Sequence, residues 1–147
     1  MNINSQFAVG IHILTALAYK QESADPITSE QLAESVTTNP VVIRRIMGDL
    51  RRAKLVKSQS GVSGGWRLTR QPDQITLFDI YQAVQKKTAF ALPHQRPNPE
   101  CPVGSKISLA LQTVFEEAEA AMERQLSERT IADVLARVRQ SCLPESA

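Results

Sequence analysis

Between Thr28 and Leu50 the chain encodes two short helices with a tight break between them, and few folds admit that pattern. Thr28-Ser29-Glu30-Gln31 has capping-box spacing, with Thr28 as the cap and Gln31 three residues on. Leu32, Ala33 and Val36 supply the apolar face of the helix that follows. Thr37-Thr38-Asn39-Pro40 ends it, and Asn39 as cap with Pro40 at the first helical position starts another. Ile43, Ile46, Met47 and Leu50 then recur at i, i+3, i+4 and i+7, so they face inward. Two short helices across a tight turn, the second one basic, predict a helix-turn-helix.

The period changes next. Leu55-Val56-Lys57-Ser58 and Trp66-Arg67-Leu68-Thr69 read as two short strands, and the three glycines of Gln59-Ser60-Gly61-Val62-Ser63-Gly64-Gly65 suit a hairpin tip. A hairpin after a basic helix-turn-helix is a wing. Upstream, Asn4 and Ser5 can cap a helix carrying Phe7, Ala8, Ile11, Leu14, Leu17 and Ala18, which stops in the stretch from Gln21 to Pro26. Downstream, Gln71-Pro72-Asp73-Gln74 turns the chain. Thr76 then caps a helix with Ile75, Leu77, Phe78, Ile80, Tyr81 and Val84 as its apolar residues.

Charge is concentrated on this part of the chain. The net charge is only +2, yet between Val36 and Arg70 eight basic residues (Arg44, Arg45, Arg51, Arg52, Lys54, Lys57, Arg67, Arg70) stand against Asp49 alone. Such a surface fits a polyanion, although a solvated basic face without a partner has the same composition. A recognition helix reads base edges from its first turns. Thr38, Asn39, Val41, Val42, Arg44 and Arg45 lie there on the side not committed to the core, and Thr28 heads the preceding helix. Arginine can pair with guanine through two hydrogen bonds, and valine can touch a thymine methyl. Arg51, Arg52 and Lys54 are placed for phosphates, while Ser60, Ser63, Gly64, Gly65 and Arg67 bring the wing to phosphate or minor groove. Trp66 beside two glycines is expected to anchor the wing. His12, among apolar residues of the first helix, is expected in the core or an interface.

Thr88 to Gly104 reads as loop, with four prolines, His94 and Cys101. A long helix then runs from about Lys106 to Glu128, its apolar stripe holding Ile107, Leu111, Val114 and Ala118, broadened by Phe115 and Met122. A helix of that length on a small domain needs a surface to cover it, either its own domain or, as expected here, a second subunit. Thr130, Ile131, Val134, Leu135 and Val138 make a shorter last helix. The domain expectation is a winged helix-turn-helix over 1–87, a Pro-rich loop over 88–104, and dimerisation and C-terminal helices over 105–147. The fold class is mostly α with a small β-hairpin wing.

The chain has 147 residues, 42% apolar and 22% charged, which excludes wholesale disorder and a collagen-like chain. The longest apolar stretch, Phe7 to Tyr19, is too short to cross a bilayer, and no secretory signal is visible. A soluble cytoplasmic protein with no membrane association is expected. Phosphate-cradling loops, nucleophile elbows and zinc-protease motifs do not occur, so no enzyme is expected.

Taken together, Asn39-Pro40-Val41-Val42-Ile43-Arg44-Arg45-Ile46, Leu50-Arg51-Arg52-Ala53-Lys54-Leu55-Val56, Gly61-x-x-Gly64-Gly65-Trp66-x-Leu68-x-Arg70 and Ile75-Thr76-Leu77-x-Asp79-Ile80 resemble the Rrf-two family of bacterial transcription regulators. The resemblance covers nearly the whole chain. It implies a homodimeric winged-helix repressor or activator on double-stranded operator DNA, with the long helix crossing between subunits; a repressor is expected, the alternatives being an iron–sulfur-cluster sensor or a winged-helix protein-interaction module without specific DNA binding. The family's iron–sulfur members carry three cysteines before that helix, whereas Asn98-Pro99-Glu100-Cys101-Pro102-Val103-Gly104 holds Cys101 alone, as in the branch of the family without a cluster. No cofactor and no metal site are therefore expected, Cys142 lying far along the chain. Regulation would come from an unidentified small-molecule effector or from oxidation of Cys101. That cysteine lies just ahead of a helix N-terminus, which favours thiolate, though a lone cysteine is also an ordinary small packed residue.

Overall fold

The computed structural model describes residues 5–21, 23 and 25–142; the expected cap Asn4 and both chain ends lie outside them. Six helices and one hairpin follow in the order α1 (Ser5–Tyr19), α2 (Ser29–Val36), α3 (Pro40–Arg52), β1 (Val56–Gln59), β2 (Gly65–Leu68), α4 (Leu77–Val84), α5 (Ile107–Ser127) and α6 (Ile131–Ser141), with a single 3₁₀ turn at Pro72–Gln74.

The caps sit where the local chemistry puts them. Gln31 N–H donates to Thr28 Oγ1 and Thr28 N–H to Gln31 Oε1, while Asn39 Oδ1 accepts from Val41 N–H at 2.9 Å. Thr76 and Asp79 form the same reciprocal pair at the head of α4. Thr130 and Asp133 form a third at the head of α6, so Thr130 is the cap of that helix rather than one of its helical residues.

One core joins these elements. Ile13 and Leu14 of α1, Leu32 of α2, and Ile43, Ile46, Met47 and Leu50 of α3 meet Leu55, Ile75, Ile80 and Ile131, all with 1% exposure or less. Truncating one such side chain to Ala costs about 2–5 kcal/mol. Asp49, the only acidic residue in the basic stretch, is buried and held by Arg52 and by Lys86 at 3.4 Å. The last helix belongs to this core as well. Leu77 N–H donates to Arg129 O and Ile131 N–H to Ile75 O, both at 2.9 Å, so the start of α6 is clipped to the start of α4. Ile131 and Leu135 then pack beside α1.

The hairpin pairs β1 and β2 antiparallel, Val56 opposite Leu68 and Gln59 opposite Gly65. It is not left hanging. Trp66 exchanges two backbone hydrogen bonds with Ile27, at 2.8 and 3.2 Å, and its indole N–H donates to Ser29 Oγ at 3.1 Å. Gly65 permits this: a Cβ there would sit 2.7 Å from the Ile27 carbonyl oxygen. Trp66 anchors the wing to the head of α2.

α5 contributes no fully buried residue. Ile107, Leu111, Phe115, Ala118 and Met122 are half-buried, Phe115 stacking on Phe90 of the preceding loop with ring centroids 5.3 Å apart. Leu109 and Val114 stand 75% and 56% exposed. No helix among the described residues is long and apolar enough to cross a membrane.

Candidate nucleic-acid interface

The recognition surface follows from how α3 is divided. Ile43, Ile46, Met47 and Leu50 commit one face to the core, so Val41, Arg44, Arg45, Arg51 and Arg52 project on the other. Val41 is 64% exposed, an apolar side chain held out at the first turn. Val42 departs from expectation: it is half-buried and packs against the core, because it precedes Ile43 on the inward side. Thr38 is half-buried in the turn, its N–H bonded to Ala33 O at 3.0 Å, and Asn39 is exposed with Oδ1 spent on its cap. Thr28 is half-buried in its own capping box at the head of α2.

The basic side chains fall into two groups. Arg44 donates to Glu30 Oε1 at 3.1 Å, Arg52 pairs with Asp49, Arg70 lies 3.8 Å from Asp79, and Arg67 Nε donates to Gln59 Oε1 at 3.2 Å. Arg45, Arg51, Lys54 and Lys57 are exposed and form no ion pair among the described residues. The Glu30–Arg44 contact is exposed on both sides. The Glu30 carboxyl is held below its ordinary range first by a backbone N–H and then by Arg44. A carboxylate on this face opposes phosphate, and the capping box around it concealed it as a functional residue. Lys57, on β1, was counted in the charge of the surface but not in its site.

At the wing, Ser60 and Ser63 are exposed around Gly61, whose φ of 108° is open to glycine alone at low cost. Gly64 has no room for a Cβ, which would lie 2.6 Å from Gln59 O. Ser60, Gly61 and Ser63 offer backbone and small hydroxyls to phosphate, while Val62 stands fully exposed beside them at the tip.

Cys101 is placed in a separate loop. Asn98 O accepts Cys101 N–H at 3.2 Å and Cys101 O accepts Ser105 N–H at 2.9 Å, folding the segment into a tight turn. The N–H groups of Gly104 and Val103 point at the thiol and hold it below its ordinary range. Cys142 lies at the end of α6, and His94 is exposed in the loop.

This arrangement matches known proteins. The family model Rrf2, described as an iron-dependent transcriptional regulator, matches residues 3–137. The chain belongs to the Rrf2 family. YwnA of Bacillus subtilis, named as a helix-turn-helix-type transcriptional regulator, is 42% identical over 133 residues, 90% of this chain and 96% of that one. A solved structure described as a DNA-binding protein is 40% identical, with a TM-score of 0.71 over 89% of this chain and 99% of its own. IscR of T. potens, at 21% identity and TM-score 0.75 over 99% of this chain and 94% of its own, has the same fold. The protein is accordingly an Rrf2 transcriptional regulator.

The Rrf2 description implies iron. In the loop that would hold a cluster, Cys101 is the sole cysteine. Among the described residues no three His, Cys, Asp or Glu side chains come together to hold a metal ion. These residues do not fit an iron–sulfur or iron site within one subunit.

Proposed function

We propose that this Rrf2 protein is a cytoplasmic homodimeric repressor that places two α3 helices in successive major grooves of a pseudo-palindromic operator. The observation that carries the reading is the division of α3, which buries four large apolar side chains and leaves Val41, Arg44 and Arg45 exposed on its first two turns. In this reading Arg45 meets base edges, Arg44 meets a phosphate and Val41 meets a thymine methyl. Arg51, Arg52 and Lys54, at the far end of α3, meet phosphate. Thr28, Thr38, Asn39 and Val42 frame the recognition turns, and Ser60, Ser63, Gly64, Gly65 and Arg67 carry the wing to the backbone.

The homodimer rests on α5. Val114, 56% exposed, lies on the stripe through Ile107, Leu111, Phe115, Ala118 and Met122 of a 21-residue helix with no buried residue, and a second α5 covers that stripe. The DNA affinity of the dimer responds to an effector or to oxidation of Cys101. The two N–H groups at the Cys101 sulfur support the second route, because they favour the thiolate that oxidants attack.

The test is a fluorescence titration against DNA from the region upstream of the gene, with scrambled DNA as competitor, at two salt concentrations. Specific binding about a thousandfold tighter than non-specific, falling steeply with salt, is expected. Equal and weak binding of both DNAs would overturn the reading.

A further inference from the structure

We propose that Val62, at the apex of the wing, seats in the minor groove of the operator and selects A·T pairs there by excluding the guanine 2-amino group. Val62 is fully exposed, and the side chains beside it at the tip are no larger than serine. Gly64 N–H donates to Gly61 O at 3.0 Å, closing a turn in which Val62 is the first of two corner residues. Gly61 precedes it with a φ of 108°, and Gly64 behind Ser63 has no room for a side chain. The apex is therefore narrow. Its base is braced, because Trp66 is hydrogen-bonded to Ile27 and Ser29.

A single exposed valine is ordinary on a protein surface; its place and its neighbours set this one apart. Lys57 stands opposite Arg67 lower on the same hairpin, and Ser60 and Ser63 are exposed on either side of the apex. Those groups suit phosphate. Valine has no donor to offer phosphate, so its partner on DNA is apolar. Duplex DNA presents apolar surface as thymine methyls in the major groove, which α3 faces in the proposed complex. It presents it again as the deoxyribose walls and adenine C2–H of the minor groove, where a wing beside that helix arrives.

The selection follows from the groove floor. The minor groove is about 6 Å wide, and over A·T pairs its floor carries only the N3 and O2 acceptors. The Ser60 and Ser63 hydroxyls can donate to such acceptors. A G·C pair adds the 2-amino group, which takes up the depth that the Val62 methyls need and leaves an N–H without a partner beneath them. The branched side chain is stiff about χ1, so holding it there costs little entropy. In the operator complex proposed for α3, on which this assignment rests, the wing thus adds a requirement on base composition beside each recognition site.

The experiment is anisotropy titration of the full chain on operator DNA from the region upstream of the gene. In one probe, adenines of the minor-groove segments adjoining each α3 contact are replaced by 2,6-diaminopurine, which adds the amine to the floor and leaves the major-groove face of adenine intact. Two others carry guanine·cytosine or inosine·cytosine there, inosine being guanine without the amine. Parent affinity should fall about tenfold with diaminopurine and with guanine, and inosine should restore it. Val62→Ser should bind the unmodified operator about tenfold more weakly for each wing, the worth of burying one valine side chain, and should be indifferent to the amine. Val62→Ile should keep the discrimination. Both variants should keep the melting temperature and the salt slope of the parent, since no core contact and no charge is lost. A parent indifferent to the amine, a Val62→Ser that binds as the parent does, or one that still rejects the amine would overturn the assignment. A flatter salt slope in Val62→Ser would make the loss one of phosphate contacts and overturn it too. Those results, with specific binding intact in the parent, leave the operator reading standing; a parent with no specific binding overturns both.

Discussion

Glu30 sets a test of the recognition surface that does not depend on removing a DNA contact. Its carboxylate lies 3.1 Å from Arg44 Nη2, with the two side chains 67% and 58% exposed, so solvent screens the pair and little stability depends on it. The cost falls on DNA instead. A phosphate approaching Arg44 must displace Glu30 and then sit beside its negative charge. Glu30→Gln removes that charge and keeps the shape, leaving Arg44 free to neutralise one phosphate. In the proposed dimer the change occurs twice, so the plot of log affinity against log salt should steepen by about 1.8. The advantage of the variant should therefore shrink about twelvefold between about 50 and about 200 mM salt. Anisotropy titrations of parent and variant on the same operator, at four salt concentrations, give both slopes. The capping box persists because Thr28 and Gln31 make it, not Glu30. An unchanged slope, or a variant that binds more weakly at low salt, would refute the placement of Arg44 on the DNA face.

Three further outcomes follow from the same structure. Arg45→Ala should lose about 1–3 kcal/mol of discrimination at one operator position, measured by a panel of single-base operator variants, whereas Arg51→Ala should weaken all DNAs alike; identical patterns would contradict the division between base and phosphate contacts. Trp66→Phe removes the hydrogen bond to Ser29, costing about 0.5–1.5 kcal/mol, and scanning calorimetry should find Ser29→Ala lowered by a similar amount; an undiminished melting temperature in both would mean the wing is not anchored there. In a Cys142→Ser background, the pH midpoint of Cys101 alkylation should lie below that of the unfolded chain. The sign follows from the lowered folded value: the stabilisation of the thiolate is present above the unfolded midpoint and is lost as pH falls through the folded one. A midpoint at or above the unfolded one would count against the two N–H donors.

What could be read from the sequence is what local chemistry writes. Asn39-Pro40 specifies a helix start whatever surrounds it, and the spacing of Ile43, Ile46, Met47 and Leu50 specifies which face goes inward. Gly64-Gly65 before Trp66 marked the wing, and the structure adds why: neither position accepts a Cβ. The rest is set by contacts between segments far apart in the chain. Nothing near Ile131 announces that its N–H bonds to Ile75 or that its side chain is fully buried, so the docking of α6 was invisible. The Glu30–Arg44 pair spans two helices, and Glu30 read as an ordinary first-turn acid. Val42 is expected on the side not committed to the core, but the rotation of α3 packs it half-buried against that core. His12, expected in the core or an interface, is exposed with Nε2 2.9 Å from Ser35 Oγ, a contact between α1 and α2 that neither helix encodes alone.

Footprinting of the bound operator addresses the central claim most directly. A winged-helix dimer predicts two protected major-groove segments, centred about 34–36 Å apart on one face of the duplex, with guanine N7 methylation inside either segment blocking binding and Arg45→Ala relieving that block. A single protected segment, or protection that ignores major-groove methylation, would contradict the account.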